Sequence, residues 1–201
     1  MKYRGFTLIE MIVSLGIFSV VAVISLGALM RIISANHKAQ AIQSAFTNLN
    51  FALESMSREI RMGANYHCEA GFNTYSGSGI SGKACDIGNN STIFFESSKT
   101  KTLQSGNGSC RLVYSYYFSG SAPNYILKKA QQSNCNDPIN NNSFSEVISP
   151  NITITDYKLG VIKGSTDNYP KVFIRISGEA GIKEKEKTFF DVQTSISQRI
   201  R

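Results

Sequence analysis

Apolar residues crowd one end of this chain. Residues 6–33 hold 20 apolar side chains in 28, and no charge stands between Glu10 and Arg31, along the run MIVSLGIFSVVAVISLGALM. Twenty such residues at a helical rise of ~1.5 Å cover about 30 Å, the thickness of a bilayer's hydrocarbon core, so the segment reads as a membrane span. After it the spacing changes. Ala39, Ile42, Phe46, Leu49, Leu53, Met56 and Ile60 recur at alternating three- and four-residue steps, one apolar stripe on a helix, with Gly63 as a natural stop. Glu54 and Arg58 sit one turn apart on the polar side. Span and stripe together predict one helix from Phe6 to Met62, about 85 Å long at ~1.5 Å per residue. A lone coiled coil would use the same stripe; the residues downstream favour packing on a sheet.

From Gly63 to Pro150 the pattern loosens: 35 of 88 residues are Gly, Ser or Asn, a loop-rich composition. Leu112, Tyr114, Tyr116 and Phe118 alternate with Val113, Ser115 and Tyr117. After Gly120 to Pro123, residues Tyr125 to Lys129 return, which predicts a hairpin. Ile93 to Phe95 is a shorter strand signal. Beyond Pro150 three strands follow: Ile152 to Lys163, then Val172, Ile174 and Ile176, then Phe190, Val192 and Ile196. The predicted fold class is α+β, a long N-terminal helix packed on an antiparallel meander.

Composition adds limits. At 201 residues the chain holds one domain or slightly more, and two large catalytic domains are excluded. With 17% charged and 42% apolar residues it is neither disordered nor a multi-span membrane protein. The balance of 21 Lys and Arg against 14 Asp and Glu is basic, +7.

Glu10 is the informative residue. Inside an apolar segment an unpaired carboxylate costs several kcal/mol or neutralises, so it needs a partner or sits at the headgroup level. It ends the sequence Gly5-Phe6-Thr7-Leu8-Ile9-Glu10, which follows the short basic Met1-Lys2-Tyr3-Arg4. This stretch resembles the cleavage and methylation site of the type IV prepilin family. The resemblance implies a leader of residues 1–5, cut after Gly5 by a membrane-embedded prepilin peptidase, and N-methylation of Phe6. It also implies that Glu10 serves assembly with other pilins or pseudopilins. A carboxylate one helical turn from a freed ammonium can pair with the ammonium of an adjacent subunit and set the stagger between them. No cofactor is implied. More narrowly, Leu49 to Glu54, Arg58 to Arg61 and the ending Phe189 to Arg201 are similar to the J-type minor pseudopilin of type II secretion. A secretory signal peptide, with cleavage after Ala35, is the alternative use of the apolar run.

The positive-inside count is a tie, Lys2 and Arg4 before the span against Arg31 and Lys38 after it. The cysteines help instead. Cys68, Cys85, Cys110 and Cys135 all follow the span, an even number suited to an oxidising exterior and two disulfides. Three connectivities exist; we expect neighbour pairing, Cys68 with Cys85 and Cys110 with Cys135. The head would therefore lie outside the cytoplasm, and close Cys-x-x-Cys pairs for zinc are lacking.

Other motifs carry less. Residues 77–84 satisfy G-x-G-x-x-G and nearly a P-loop, yet polar Asn73 to Ser76 precede them, Cys85 to Asn90 follow, and Ala84 stands where a hydroxyl would bind Mg²⁺. His37 and His67 are the only neutral-pH bases, and no nucleophile elbow or distinctive carboxylate pair appears. Asp156, Asp167 and Asn168 could offer oxygens to Ca²⁺, but with no recognised spacing. Lys99, Lys101, Lys128, Lys129, Arg199 and Arg201 could attract DNA phosphates, although scattered positive charge more often serves solubility. Lys183 to Lys187 alternates in sign as a solvated turn does.

The resemblance thus implies a non-enzymatic minor pilin or pseudopilin. Its parts are a leader (1–5), a membrane and filament-core helix (6–35), an amphipathic continuation (36–62) and a loop-rich β head (63–201). The expected partners are prepilin peptidase, other pilins, an inner-membrane assembly platform and the lipid bilayer. A pilus-tip adhesin, a DNA-uptake receptor and a signal-anchored secreted enzyme are the alternatives.

Overall fold

The computed structural model describes residues 5–71, 84–88, 90–102, 108–135, 137–162, 170–181 and 187–199. One helix, α1 (Leu8–Met62), is followed by an antiparallel sheet with eight described strands. These are β1 (Ala64–Glu69), β2 (Thr92–Thr102), β3 (Ser109–Ser121), β4 (Asn124–Gln131), β5 (Ser145–Glu146), β6 (Ile152–Ile162), β7 (Lys171–Ala180) and β8 (Thr188–Ser197). The sheet order is β1-β2-β3-β4-β6-β7-β8, with β5 paired beside β4. The architecture is α+β and pilin-like, the long helix first and the meander after it.

The C-terminal half of α1 lies on the sheet against β2, β7 and β8. Ala45, Leu49, Ala52, Leu53, Met56 and Ile60 are its buried residues. The expected stripe therefore needs a correction at its upper end: Ala39 is exposed, Phe46 is 42% exposed, and Ile42 is half-buried. Burial begins where the sheet begins, beside the start of β8, and Ala45 and Ala52 allow close approach there. Leu49, Met56 and Ile60 are almost fully enclosed, and side chains of this size contribute roughly 1.5–3 kcal/mol each when removed from water. Gly63 ends the helix for a packing reason: a Cβ there would stand 2.6 Å from the Phe95 ring. The Tyr66 hydroxyl then caps the helix end by donating to the Ile60 carbonyl at 2.6 Å.

Two strands exceed or escape the sequence reading. β2 runs from Thr92 to Thr102, well past Phe95, and β1 carries no signal that the alternation rule detects. Burial on both faces explains β2. Ile93 and Phe95 meet the core under the helix, while Phe94 joins Val113, Ala130, Ile139 and Phe144 on the opposite face. A strand covered on both sides reads as a continuous apolar run instead of an alternating one.

The structure pairs Cys68 with Cys85 and Cys110 with Cys135, at Cα separations of 6.0 and 5.7 Å. Each bond sits at a join. β4 and β6 pair only at Tyr125↔Ile154, so the two halves of the sheet diverge from there. At the far end of β6, Cys85 exchanges both backbone hydrogen bonds with Val161, and Gly88 donates to Leu159. Segment 84–88 thereby fills the space beside β6, and Cys68–Cys85 fastens it to β1. Gly160 is required opposite it, since a Cβ would come within 2.8 Å of the Ile87 backbone. Cys110–Cys135 anchors the segment after β4 that carries Ile139 and Phe144 over the back of β2 and β3.

Candidate functional site

The N-terminal end of α1 brings Gly5, Phe6 and Glu10 together. Thr7 is the N-cap, in extended geometry, and the pair forms a capping box. The Thr7 backbone N–H and the Thr7 hydroxyl each donate to Glu10 Oε2 at 2.9 Å, while the Glu10 N–H donates to Thr7 Oγ1 at 3.4 Å. These bonds satisfy donors that a helix start leaves open. Oε1 takes part in neither carboxylate bond. The sequence carried this signal as Thr-x-x-Glu, and the reading of Glu10 through its partner subunit passed over Thr7.

Gly5, Phe6 and Thr7 lie outside the helix and are exposed, Phe6 at 84%. The Gly5–Phe6 peptide is thus an accessible bond outside the helix, one residue before its capped start. Beyond it the apolar segment is helical and packs against no other element among the described residues: none of its most apolar window is buried, and large side chains from Leu8 to Ile32 are more than half exposed. Three of its serine hydroxyls are satisfied internally. Ser14, Ser19 and Ser34 donate to the Met11, Leu15 and Met30 carbonyls at 3.0, 2.8 and 3.1 Å. A helix apolar on every side, with three of its serine hydroxyls bonded to its own backbone, is suited to lipid or to a bundle of like helices.

Where the helix meets the head, a second polar group was not foreseen from sequence. Glu59 reaches over the sheet, accepting from the Tyr116 hydroxyl at 2.6 Å and pairing with Lys129. Lys129 also stands 5.3 and 5.9 Å from the Tyr114 and Tyr116 ring centroids. Burial, with help from Glu59, raises the Tyr116 pKa above the usual phenol range, so the hydroxyl remains a donor. At the outer sheet, Arg175 holds Asp191 through a fork whose Nε–Oδ1 distance is 3.0 Å. That hydrogen bonding lowers the Asp191 pKa and raises that of Arg175.

The remaining candidates disperse. His37 is exposed on α1, and the His67 ring lies 3.2 Å from Glu69, next to a Cys68 already in a disulfide. Among the described residues no three His, Cys, Asp or Glu side chains gather as metal ligands. Lys101 bonds the Ser133 carbonyl and Asn134, Lys129 is engaged by Glu59, and the Arg199 N–H donates to the Arg61 carbonyl. The glycine-rich loop 77–83, Asp167, Asn168, Lys183 to Glu186 and Arg201 lie outside the described residues.

Residues 1–26 match the family model described as the prokaryotic N-terminal methylation motif, the type IV prepilin-type motif. Neither the curated proteins nor the solved structures searched gave a match. The match ends inside the apolar half of α1 and leaves the head to be read from its own structure.

Proposed function

We propose that this chain is a minor pilin- or pseudopilin-type subunit, built to pass from a membrane into a helical filament. Prepilin peptidase removes residues 1–5, Phe6 becomes the methylated N-terminus, and the helix from 6 to 35 stands in the cytoplasmic membrane with the head outside. On assembly the same apolar surface exchanges lipid for the helices of other subunits, so burial from water is kept throughout. The observation that carries this reading is an exposed Gly5–Phe6 bond immediately before a capped helix whose apolar half packs against no other described element of its chain. Within that scheme Glu10 supplies register. Its Oε1 accepts the Phe6 ammonium of a neighbour, and a wrong stagger leaves two charges unpaired in a dry bundle. Type II secretion, through the J-type likeness, is the machine we favour.

Mass spectrometry of the protein isolated from membranes tests the processing. An N-methyl-Phe6 terminus is expected, and a terminus at Asn36 or an intact Met1 overturns the reading. Glu10→Leu should be cleaved normally yet enter sheared or cross-linked filaments at least tenfold less; normal incorporation would remove the register role from Glu10.

A further inference from the structure

The two ends of the sheet are built differently. β1 has six residues, a register shift between Ala64 and His67, and a disulfide tie to segment 84–88. Shortness, irregularity and a covering segment are the devices that keep a sheet edge from pairing with a foreign strand. β8 lacks all three. It pairs with β7 in unbroken register from Lys171↔Ser197 to Ala180↔Thr188, and no described strand pairs with its outer side. Residues 188–197 contain neither proline nor lysine, and their one charge, Asp191, is engaged by Arg175 within the sheet. Phe189 at its start is 78% exposed, beside a small apolar hollow that Ile42, Ala45 and Phe46 of α1 help to line.

We propose that the free edge of β8 is a strand-addition site, occupied by an extended amphipathic segment of a different helix-anchored subunit. This rests on the subunit reading above. Main-chain hydrogen bonds would supply affinity and side-chain alternation the specificity. One face of the incoming strand would lie on the helix side of the sheet, alongside Phe190, Val192 and Ile196, and so would be apolar. The other would lie alongside Phe189, Asp191, Gln193 and Ser195, the exposed face of β8, and so would be mostly polar and free of acidic residues opposite Asp191.

The direction of β8 argues against a second copy as occupant. Thr188 and Phe189 lie by Ile42 to Leu49, and Arg199 is bonded to Arg61, so β8 runs in the same sense as α1. The helix rises about 24 Å between residues 45 and 61, while ten strand residues cover about 33 Å, an inclination well short of perpendicular. Two-fold antiparallel pairing of β8 with its own copy would turn the two helices against each other, and they could not share one bilayer in one orientation. A head-to-tail contact would have to use the guarded β1 edge.

The test places a photo-crosslinking amino acid at Ser195 of the full-length protein in its native cells, with Val20 in the helix and Thr100 on β2 as separate probe sites. Val20 reports assembly. The expected result is a Ser195 adduct mapped by mass spectrometry to an extended segment of another subunit, no such adduct from Thr100, and a fall of at least tenfold in the Gln193→Lys background. A Gln193→Lys protein that unfolds at the parent temperature shows that the loss is at the edge and not in the fold. An adduct to a second copy, to a helix, or none while Val20 still crosslinks overturns the strand-addition site and leaves the subunit reading standing. Absence of adducts at both Ser195 and Val20 overturns both.

Discussion

Glu59 shows how one side chain fixes a helix on a sheet. It is the carboxylate on α1 that reaches β3 and β4 together, through Tyr116 and Lys129, and both partners are mostly shielded from solvent. Removing it leaves a hydroxyl and a cation without their acceptor. Groups orphaned in this way cost ~1–3 kcal/mol each, more than the net value of a satisfied bond. Glu59→Leu should therefore lower stability by about 1–3 kcal/mol, read in thermal unfolding of the head. The double change Glu59→Leu with Lys129→Met should recover a good part of that, since it removes the partly buried cation as well. Equal losses in the single and double variants would show that the pair contributes by packing alone. None of this was legible in the sequence, because Glu59 and Lys129 are 70 positions apart and each looks like an ordinary surface charge. Gly63 was legible as the helix stop, and it is the C-cap; the closeness of Phe95, which bars a Cβ there, was not legible.

At the scale of elements, period decided what could be read in advance. The helix was predicted nearly to its ends, and the hairpin of β3 and β4 follows from the alternation around Tyr114 and Tyr116. β2 was underestimated because its two faces are both covered, and β1 because its register shift spoils the alternation. These are also the strands beside the disulfides. Loop closure over separations of 17 and 25 residues gives each bond about 3 kcal/mol in a chain-entropy estimate. Their removal should nevertheless act in different places. In Cys68→Ser with Cys85→Ser, hydrogen exchange should quicken at the amides of Val161, Cys85 and Gly88, which join segment 84–88 to β6. In Cys110→Ser with Cys135→Ser it should quicken around Val113 and Gln132, beneath the segment that carries Ile139. The same exchange pattern in both pairs would mean that the sheet opens as one unit.

For the whole molecule, the boundary between anchor and head is set by burial and not by hydropathy. The apolar run ends near Ile33, yet the first helix residue enclosed by the head is Ala45, and the next eleven residues or so hold most of the core's helical layer. Cleavage after Gly5, as proposed, would change the charge too: losing Lys2 and Arg4 would leave 19 basic against 14 acidic side chains, +5 in place of +7. A chain of residues 36–201 retains Leu49, Ala52, Leu53, Met56, Ile60 and the Glu59 contacts, and loses only side chains that touch nothing in the head. It should be soluble without detergent and unfold in one cooperative transition. A chain of residues 63–201 loses Leu49, Met56 and Ile60, at roughly 1.5–3 kcal/mol apiece, from a domain whose total stability is of the order of 5–15 kcal/mol. It exposes Phe95, Tyr116, Ile174 and Ile176 from the layer the helix covers. That shorter chain should fail to unfold cooperatively and should aggregate even with both disulfides intact. If it melted like 36–201, the helix would be an accessory to the head, and a shift of α1 during assembly would leave the sheet undisturbed.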